Sequence, residues 1–406
     1  MTAIRIIKTL AGVAALSVAF AAGAYYQAGQ KAHSAANLAA LSMQDESAWW
    51  SHFIGSLSRA GDLVEQYTQD LPELDKLEGY RLVTRMTALG FERLMEAGNP
   101  NAPQFFRLQS ATRKFAGDSP DQLYHAAAVS GEHRYRITGQ LHSEQLSTVL
   151  LEASVYGGDM SFEGGSRRLV SHLDESQLVT DSEGRFEIIL STQNKGEANW
   201  MKLENDVKNV LVRRYFTEPQ LHDLLPLNIE RLDGGADPAP LQREQLVKGI
   251  LGASAFAEET TRFWHTWVKE TRAKLGVNQM RNLQDDGDLL TPGGIKYIQG
   301  AWQLEPEQGL KITFMPPQVP YWSFVPMNMW MESFDWHLVE NVVINNFKAK
   351  PNDDGSITII LSERDPGSPN WLFTQGHRGG LMSFRFARMG EQALPVVQTE
   401  VITIKK

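Results

Sequence analysis

The sequence predicts a mainly β chain of the α+β class: two copies of one β-rich unit, each preceded by a helical segment, behind one N-terminal hydrophobic helix. Three observations predict it. A basic start runs into a long uncharged stretch, the order helix-then-strands occurs twice, and a 17-residue block recurs without gaps. The length, 406 residues, suffices for two ordinary domains with full cores. A composition of 42% hydrophobic and 21% charged residues is that of a globular chain. The net charge of −9 argues against a nucleic-acid partner, which needs a basic surface to displace counterions. With no cysteine, disulfides, thiolate nucleophiles and Cys-ligated metals are ruled out.

Arg5 and Lys8 precede the apolar run Leu10 to Ala24, and the next charge is Lys31. This is the pattern of an export signal. Stretched from Ile6 to Tyr26 the run reaches the length of about 20 residues that a membrane span needs. Tyr25 and Tyr26 suit a membrane interface. Two readings stand: a signal peptide cleaved near Ala22-Gly23-Ala24, or a retained anchor with its N-terminus inside. Both place the rest of the chain in the cell envelope, anchored to the inner membrane or secreted to the periplasm. A buried Ala-rich helix of a cytoplasmic protein is the third reading.

Residues 1–30 are thus the signal or anchor, and 31–110 a helical segment. From Ser42 to about Ala97 the pattern is helical, with Leu82, Met86, Leu89 and Leu94 in an apolar stripe. Asn99-Pro100 and Ala102-Pro103 end it. Residues 111–232 form a first β unit, with strand signals at Tyr135 to Thr138 and Phe186 to Leu190. The linker Asp233 to Pro240 opens a connector, 233–290, that holds a second helical stretch from about Leu241 to Leu275. Phe263, Trp264, Trp267 and Val268 make its apolar face, while Gly249 and Gly252 weaken its first half. Strands return in 291–406, the second β unit.

The repeat ties the two units together. Gly184 to Trp200 reads GRFEIILSTQNKGEANW and Gly355 to Trp371 reads GSITIILSERDPGSPNW, at an offset of 171 residues. Eight of the 17 positions are identical. Phe186, Ile188 and Leu190 share one strand face, as do Ile357, Ile359 and Leu361. The leading Gly follows an acidic residue, which is turn chemistry. The closing Trp is expected to cover the open end of a β-sandwich core, and the Asn before it to satisfy loop backbone. At the same offset Arg214 matches Arg385.

Tyr321-Trp322-Ser323-Phe324, Asn328, Trp330, Asp335, Asp354-Gly355, Asn370-Trp371 and Arg385 carry a resemblance to the uncharacterised bacterial DUF1214 family, often found with a DUF1254 domain. In the first half, Gly117-Asp118-Ser119-Pro120-Asp121-Gln122-Leu123-Tyr124 is similar to the G-D-N-P-D-x-x-Y pattern of longer members, with Ser119 in place of Asn. The resemblance implies β-sandwich or jelly-roll-like units with attached helices, and no established activity.

Candidate chemistry sits in four places. Asp118 and Asp121, with Tyr124, can bind sugar hydroxyls or a cation or share acid–base work, or form a turn that caps the next element. Asp335 and His337 share a face if their stretch is extended, as a general-base pair, two metal ligands or a satisfied structural pair. The aromatics around Trp322 and Trp330, with Asn328, make a ligand platform if exposed and a core if buried. Arg214 and Arg385 can each hold a carboxylate or phosphate, or pair within their own unit. His265 is expected to be an ordinary helix residue. There is no H-E-x-x-H, G-x-S-x-G, P-loop or Rossmann fingerprint. No cofactor and no metal are expected. The leading expectation is a membrane-tethered extracytoplasmic protein that binds a carbohydrate, lipid, other hydrophobic ligand or envelope partner. An acid–base enzyme on a glycan or lipid-like substrate is the alternative, and a structural envelope protein the third.

Overall fold

The computed structural model describes residues 46–158, 167–217, 219–234, 240–282 and 295–405. The expected hydrophobic helix at 6–26 lies outside these residues. The first helical stretch is two helices rather than one, α1 (Glu46–Tyr67) and α2 (Glu73–Phe91), the latter running into a π turn at Glu92–Glu96. The break falls where Pro72 takes the N-cap position at φ −54°, since its ring cannot continue a helix from behind. Glu73 and Asp75 then place negative charge in the first turn of α2, against the helix dipole.

The second helical stretch is α3 (Arg243–Leu275), which ends at Gly276 with φ 76°. Its buried stripe, Val247, Ile250 and Leu251, packs on Trp49 and Phe53 of α1. The two helical segments, distant in sequence, therefore make one three-helix layer. Gly249, expected to weaken α3, sits where Met95 crosses: an added Cβ would lie 2.1 Å from Met95 Cγ.

Among the described residues the first unit has nine strands: β1 (Phe106–Arg107), β2 (Gln122–Ala128), β3 (Tyr135–Gln140), β4 (Thr148–Gly157), β5 (Arg168–Asp174), β6 (Arg185–Ser191), β7 (Trp200–Lys202), β8 (Val207–Phe216) and β9 (Leu227–Arg231). They form two sheets, ordered β1-β2-β8-β4-β5 and β7-β6-β3-β9. Ile137, Ile188 and Leu190 of one sheet pack on Ala153, Val210 and Val212 of the other. This is a β-sandwich core with alternate residues turned inward.

The second unit also has nine: β10 (Gln279–Arg281), β11 (Ile295–Gln303), β12 (Gln308–Phe314), β13 (Tyr321–Pro326), β14 (Ile344–Asn345), β15 (Ile357–Ser362), β16 (Trp371–Phe373), β17 (Gly379–Ala387) and β18 (Val397–Thr403). The sheet orders are β10-β11-β17-β13-β14 and β16-β15-β12-β18. Strand for strand, the topology repeats that of the first unit. The core of this sandwich, with Ile312, Ile359, Leu361 and Phe384, is continuous with the helical layer through Val64, Leu82, Trp264 and Trp330.

The repeated block is superimposable in its bonding. β6 and β7 pair in parallel with Ile189 opposite Trp200, and β15 and β16 with Ile360 opposite Trp371. Asn199 exchanges two 2.8 Å bonds with the backbone of Val179 and donates to Glu187 O at 2.9 Å. Asn370 does the same with Lys350 and with Thr358 O. Gly184 and Gly355 turn the chain into the strand at φ 74° and 83°, where a side chain is disfavoured. The two Trp differ from expectation. Both are half-buried on an edge strand, each held by an indole bond to the Ser that ends the neighbouring strand, and neither plugs the core.

Candidate functional site

The loop before β2 leaves its own unit and docks on the other. Ala116 and Gly117 turn it through φ 56° and 65°. Gly117 N–H then donates to Met331 O at 2.7 Å, and Gly117 O accepts from Arg385 Nη2. Asp118, 2% exposed, accepts from the Ser333 amide at 3.0 Å and the Ser333 hydroxyl at 2.6 Å. Asp121, 1% exposed, accepts from Tyr321 Oη at 3.0 Å and Asn345 Nδ2 at 2.8 Å. Burial pushes the Asp121 carboxyl above the usual range, while Asn345, Lys348 and Tyr321 pull it back. The two stretches singled out in the sequence thus meet across the units, with both aspartates committed to holding them together.

Residues 327–340 of the second unit are clamped from the other side. Asn328 bonds the Trp330 and Glu332 amides, and Trp330, wholly buried, donates from its indole to Asp75 O at 2.6 Å. Glu332 pairs with Arg85 at 2.6 Å, both buried. Asp335 takes Arg81 at 2.8 Å and Lys114 at 2.6 Å. Burial works against the Asp335 charge, but Lys114 and Arg81 hold its pKa down to about 2. Asp335 and His337 do not share a strand face: Asp335 opens a turn, accepting from the Leu338 and Val339 amides, and His337 is exposed on it. Trp322 lies in the sandwich core against Phe314 and Phe384. His265, on α3, is buried and stacks on Tyr67 at 3.9 Å.

Between these clamps the outer faces of the β2-β8-β4 and β11-β17-β13 sheets look at each other. One brings Tyr124, Arg213 and Tyr215; the other brings Tyr297, Arg385, Ser323 and Tyr321. Tyr124 stands opposite Arg213 in the β2–β8 ladder, as Tyr297 stands opposite Arg385 in the β11–β17 ladder. Tyr215 and Tyr321 meet edge to face across the gap at 5.1 Å. The partner of Arg385 in the first unit is therefore Arg213, not Arg214. Arg214 points the other way, to Leu225 O and the Phe216 ring, where burial and Arg107 lower its pKa to about 10.

The two arginines are not equally satisfied. Arg213 bonds Ser154 Oγ and Tyr156 Oη and lies 5.4 Å from the Tyr124 ring. Arg385, 6% exposed, spends Nη2 on Gly117 O, while its Nε and Nη1 make no well-aligned hydrogen bond, Tyr297 being a looser neighbour. Tyr215 Oη, Ser323 Oγ and Gln122 Nε2 are buried and likewise lack a well-aligned partner, with Tyr321 close to Ser323. The ionisable neighbours of Arg385 are the phenols of Tyr297, Tyr124, Tyr215 and Tyr321, with Asp121 beyond them. Toward the rim, burial pushes Glu152 up to about 7 against the pull of Arg213 and Arg388. Tyr156, by contrast, is lowered: burial opposes its ionisation, but Arg213 and Arg167 flank its phenol and prevail.

Sequence reasoning named Tyr124 and Arg385 here and missed Arg213, Tyr215, Tyr297, Ser323 and Gln122. The signal was in strand parity. Leu211, Arg213 and Tyr215 alternate with the inward Val210 and Val212, so the polar members belong to the outer face. Among the described residues no three His, Asp or Glu side chains gather as a metal-binding group.

Comparison with known proteins agrees with this architecture. Residues 300–388, which span most of the second unit, match the family model described as protein of unknown function (DUF1214). The DUF1254 part of the resemblance has no such match behind it. No curated protein matches the chain. A crystal structure of an uncharacterised protein from Burkholderia cenocepacia is similar over 88% of this chain and 97% of its own, at 29% identity and a TM-score of 0.79. The VPA0106 protein from Vibrio parahaemolyticus aligns over 86% of this chain and 100% of its own, at 13% identity and a TM-score of 0.45.

Proposed function

We propose that the protein is an extracytoplasmic ligand-binding protein, tethered to the membrane through residues 6–26, whose ligand seat is the layer between the two sandwiches. One observation carries this reading: a buried guanidinium and three other buried polar side chains converge there, each with at least one polar atom left without a well-aligned hydrogen bond. Each unpaired buried group costs roughly 1–3 kcal/mol, and an apolar layer would join two sandwiches more firmly. A polar layer that is expensive to fold, and that keeps donors unspent after its cross-unit bonds are made, fits a binding site. The envelope part of the proposal rests on Arg5, Lys8 and the apolar run that follows them. Among the described residues no helix is long and apolar enough to cross a membrane.

The acid–base enzyme reading draws no support from the geometry. Asp118 and Asp121 are occupied by cross-unit hydrogen bonds, Asp335 by cations, and His337 lies exposed on a turn. Nor do the Trp residues offer a sugar platform, since Trp322 and Trp330 are core.

Native mass spectrometry of the full chain, extracted from its own membrane, tests the proposal. A small molecule that is retained in the folded protein and released on unfolding is the expected result. Finding none, together with no shift of the melting temperature by any small-molecule probe, would leave a structural envelope protein as the better reading. Cell fractionation with protease protection tests location, with the bulk of the chain expected on the outer side of the inner membrane.

A further inference from the structure

We infer that the seat between the sandwiches takes a small anion, a carboxylate or phosphate carried on a compact, flat or apolar body, with Arg385 as its charge partner. The inference rests on the ligand-binding reading above and adds the chemical class. It follows first from the kind of groups left unpaired. Arg385 Nε and Nη1 and Gln122 Nε2 are donors only, and the hydroxyls of Tyr215 and Ser323 can both donate. The acceptors around them are hydroxyl oxygens, which also carry protons to donate, and the Asp121 carboxylate, which faces Tyr321 and Asn345. A ligand that brings acceptor oxygens suits this donor-rich set.

Charge points the same way. Three buried or largely buried guanidinium groups, Arg167, Arg213 and Arg385, lie in or beside the layer, against the carboxylates of Asp121 and Glu152. Both carboxylates are buried, and burial disfavours their charged forms beside the guanidinium groups. Arg388, nearer the rim, is answered by its own carboxylates, Glu175 at 2.9 Å and Asp174 at 3.5 Å. The guanidinium left for a ligand is that of Arg385.

Geometry sets the size and the walls. Tyr297 and Ser323 are the cross-strand neighbours of Arg385 on its two sides, so their side chains stand about 5 Å from it on the same face. Packed sheets are spaced about 10 Å apart, and tyrosine rings from both sides fill most of that gap. Little room is left beside Arg385, which restricts the proposed guest to a compact anionic head, with tyrosine rings as its neighbours.

The test is calorimetric titration of the full, detergent-extracted chain with benzoate, phenyl phosphate and the neutral benzamide. At least one anion is expected to bind ten times or more tighter than benzamide, and which one separates a carboxylate ligand from a phosphate one. Arg385→Gln is expected to weaken that binding at least tenfold. Tyr215→Phe, which removes one hydroxyl and no volume, is expected to weaken it severalfold with the ligand-free melting temperature retained, so it decides the matter if Arg385→Gln does not fold. Equal binding of benzamide and the anions, or anion affinity unchanged in both variants, overturns the anionic class. A neutral molecule found in the extracted protein, with no anion binding, overturns the class and leaves the seat standing. No binding of any probe and no retained molecule overturns both.

Discussion

Asn199 and Asn370 show how much a single side chain can do in this fold. Each answers three backbone groups at once, one strand neighbour and both ends of a peptide in the adjoining loop. Replacing either with Ala leaves those groups buried and unpaired, at an expected cost of about 2–4 kcal/mol, and urea unfolding should give similar losses for the two sites. Glu152 gives a second prediction. It faces Arg213 across the ladder and Asp174 on the other side, with Arg388, Glu175 and His172 close by. Its folded pKa of about 7 lies above the unfolded value, so the folded state holds the extra proton. The stability it contributes is full below the unfolded pKa and is lost as pH rises through about 7. His172 has a lowered pKa and acts with the opposite sign below its unfolded value of 6.5, so the Glu152 contribution is read as a difference between variants. The unfolding free energy of the wild type relative to Glu152→Gln should fall by roughly 2–3 kcal/mol between pH 5 and 8. The Asn-Trp pairs were legible because the block repeats without gaps. Arg213 was not: the second copy has one residue more between its Trp and its Arg, and a one-residue slip turns a strand's side chains to the other face.

At the scale of elements, local periodicity identified the helical stretches and could not say what they pack against. The helical pattern from Ser42 to about Ala97 did not mark the break at Pro72, and nothing local announces that α3 lies across α1 and α2. That arrangement is a non-local packing outcome. Its most sensitive point is Gly79 on α2, where a Cβ would sit 2.4 Å from Trp330 Cζ2 and 2.7 Å from Val64 Cγ1. Gly79→Ala is expected to lose about 1–3 kcal/mol through overpacking, with a change in the near-ultraviolet dichroism of Trp330. The Arg85–Glu332 pair joins the same helix to the same loop. Arg85→Met alone strands a buried carboxylate and should cost about 3–5 kcal/mol, whereas Arg85→Met with Glu332→Leu should recover most of it; thermal unfolding of the three variants checks this. The aromatic density from Trp302 to Trp336 was read as either platform or core. Burial decides for core, because the helical layer covers what an isolated sandwich would expose.

For the whole molecule, the duplication was visible in the sequence and the dependence of the halves on each other was not. The second sandwich borrows Asp75 O for Trp330, Lys114 for Asp335, Asp118 for Ser333 and Gly117 O for Arg385. Residues 240–405 produced alone are expected to lack a cooperative unfolding transition, while the full chain unfolds in one; calorimetry distinguishes the two. The meeting of like faces has one more consequence. Equivalent sheets touching through equivalent surfaces is the geometry of an isologous dimer, in which both partners must carry the same residue at every place. Joining the halves in one polypeptide lifts that constraint. Arg213 has settled among Ser154 and Tyr156, while its counterpart Arg385 keeps two N–H groups unspent. A homodimer cannot make that division of labour, and it is at this broken symmetry that selectivity for a guest can evolve.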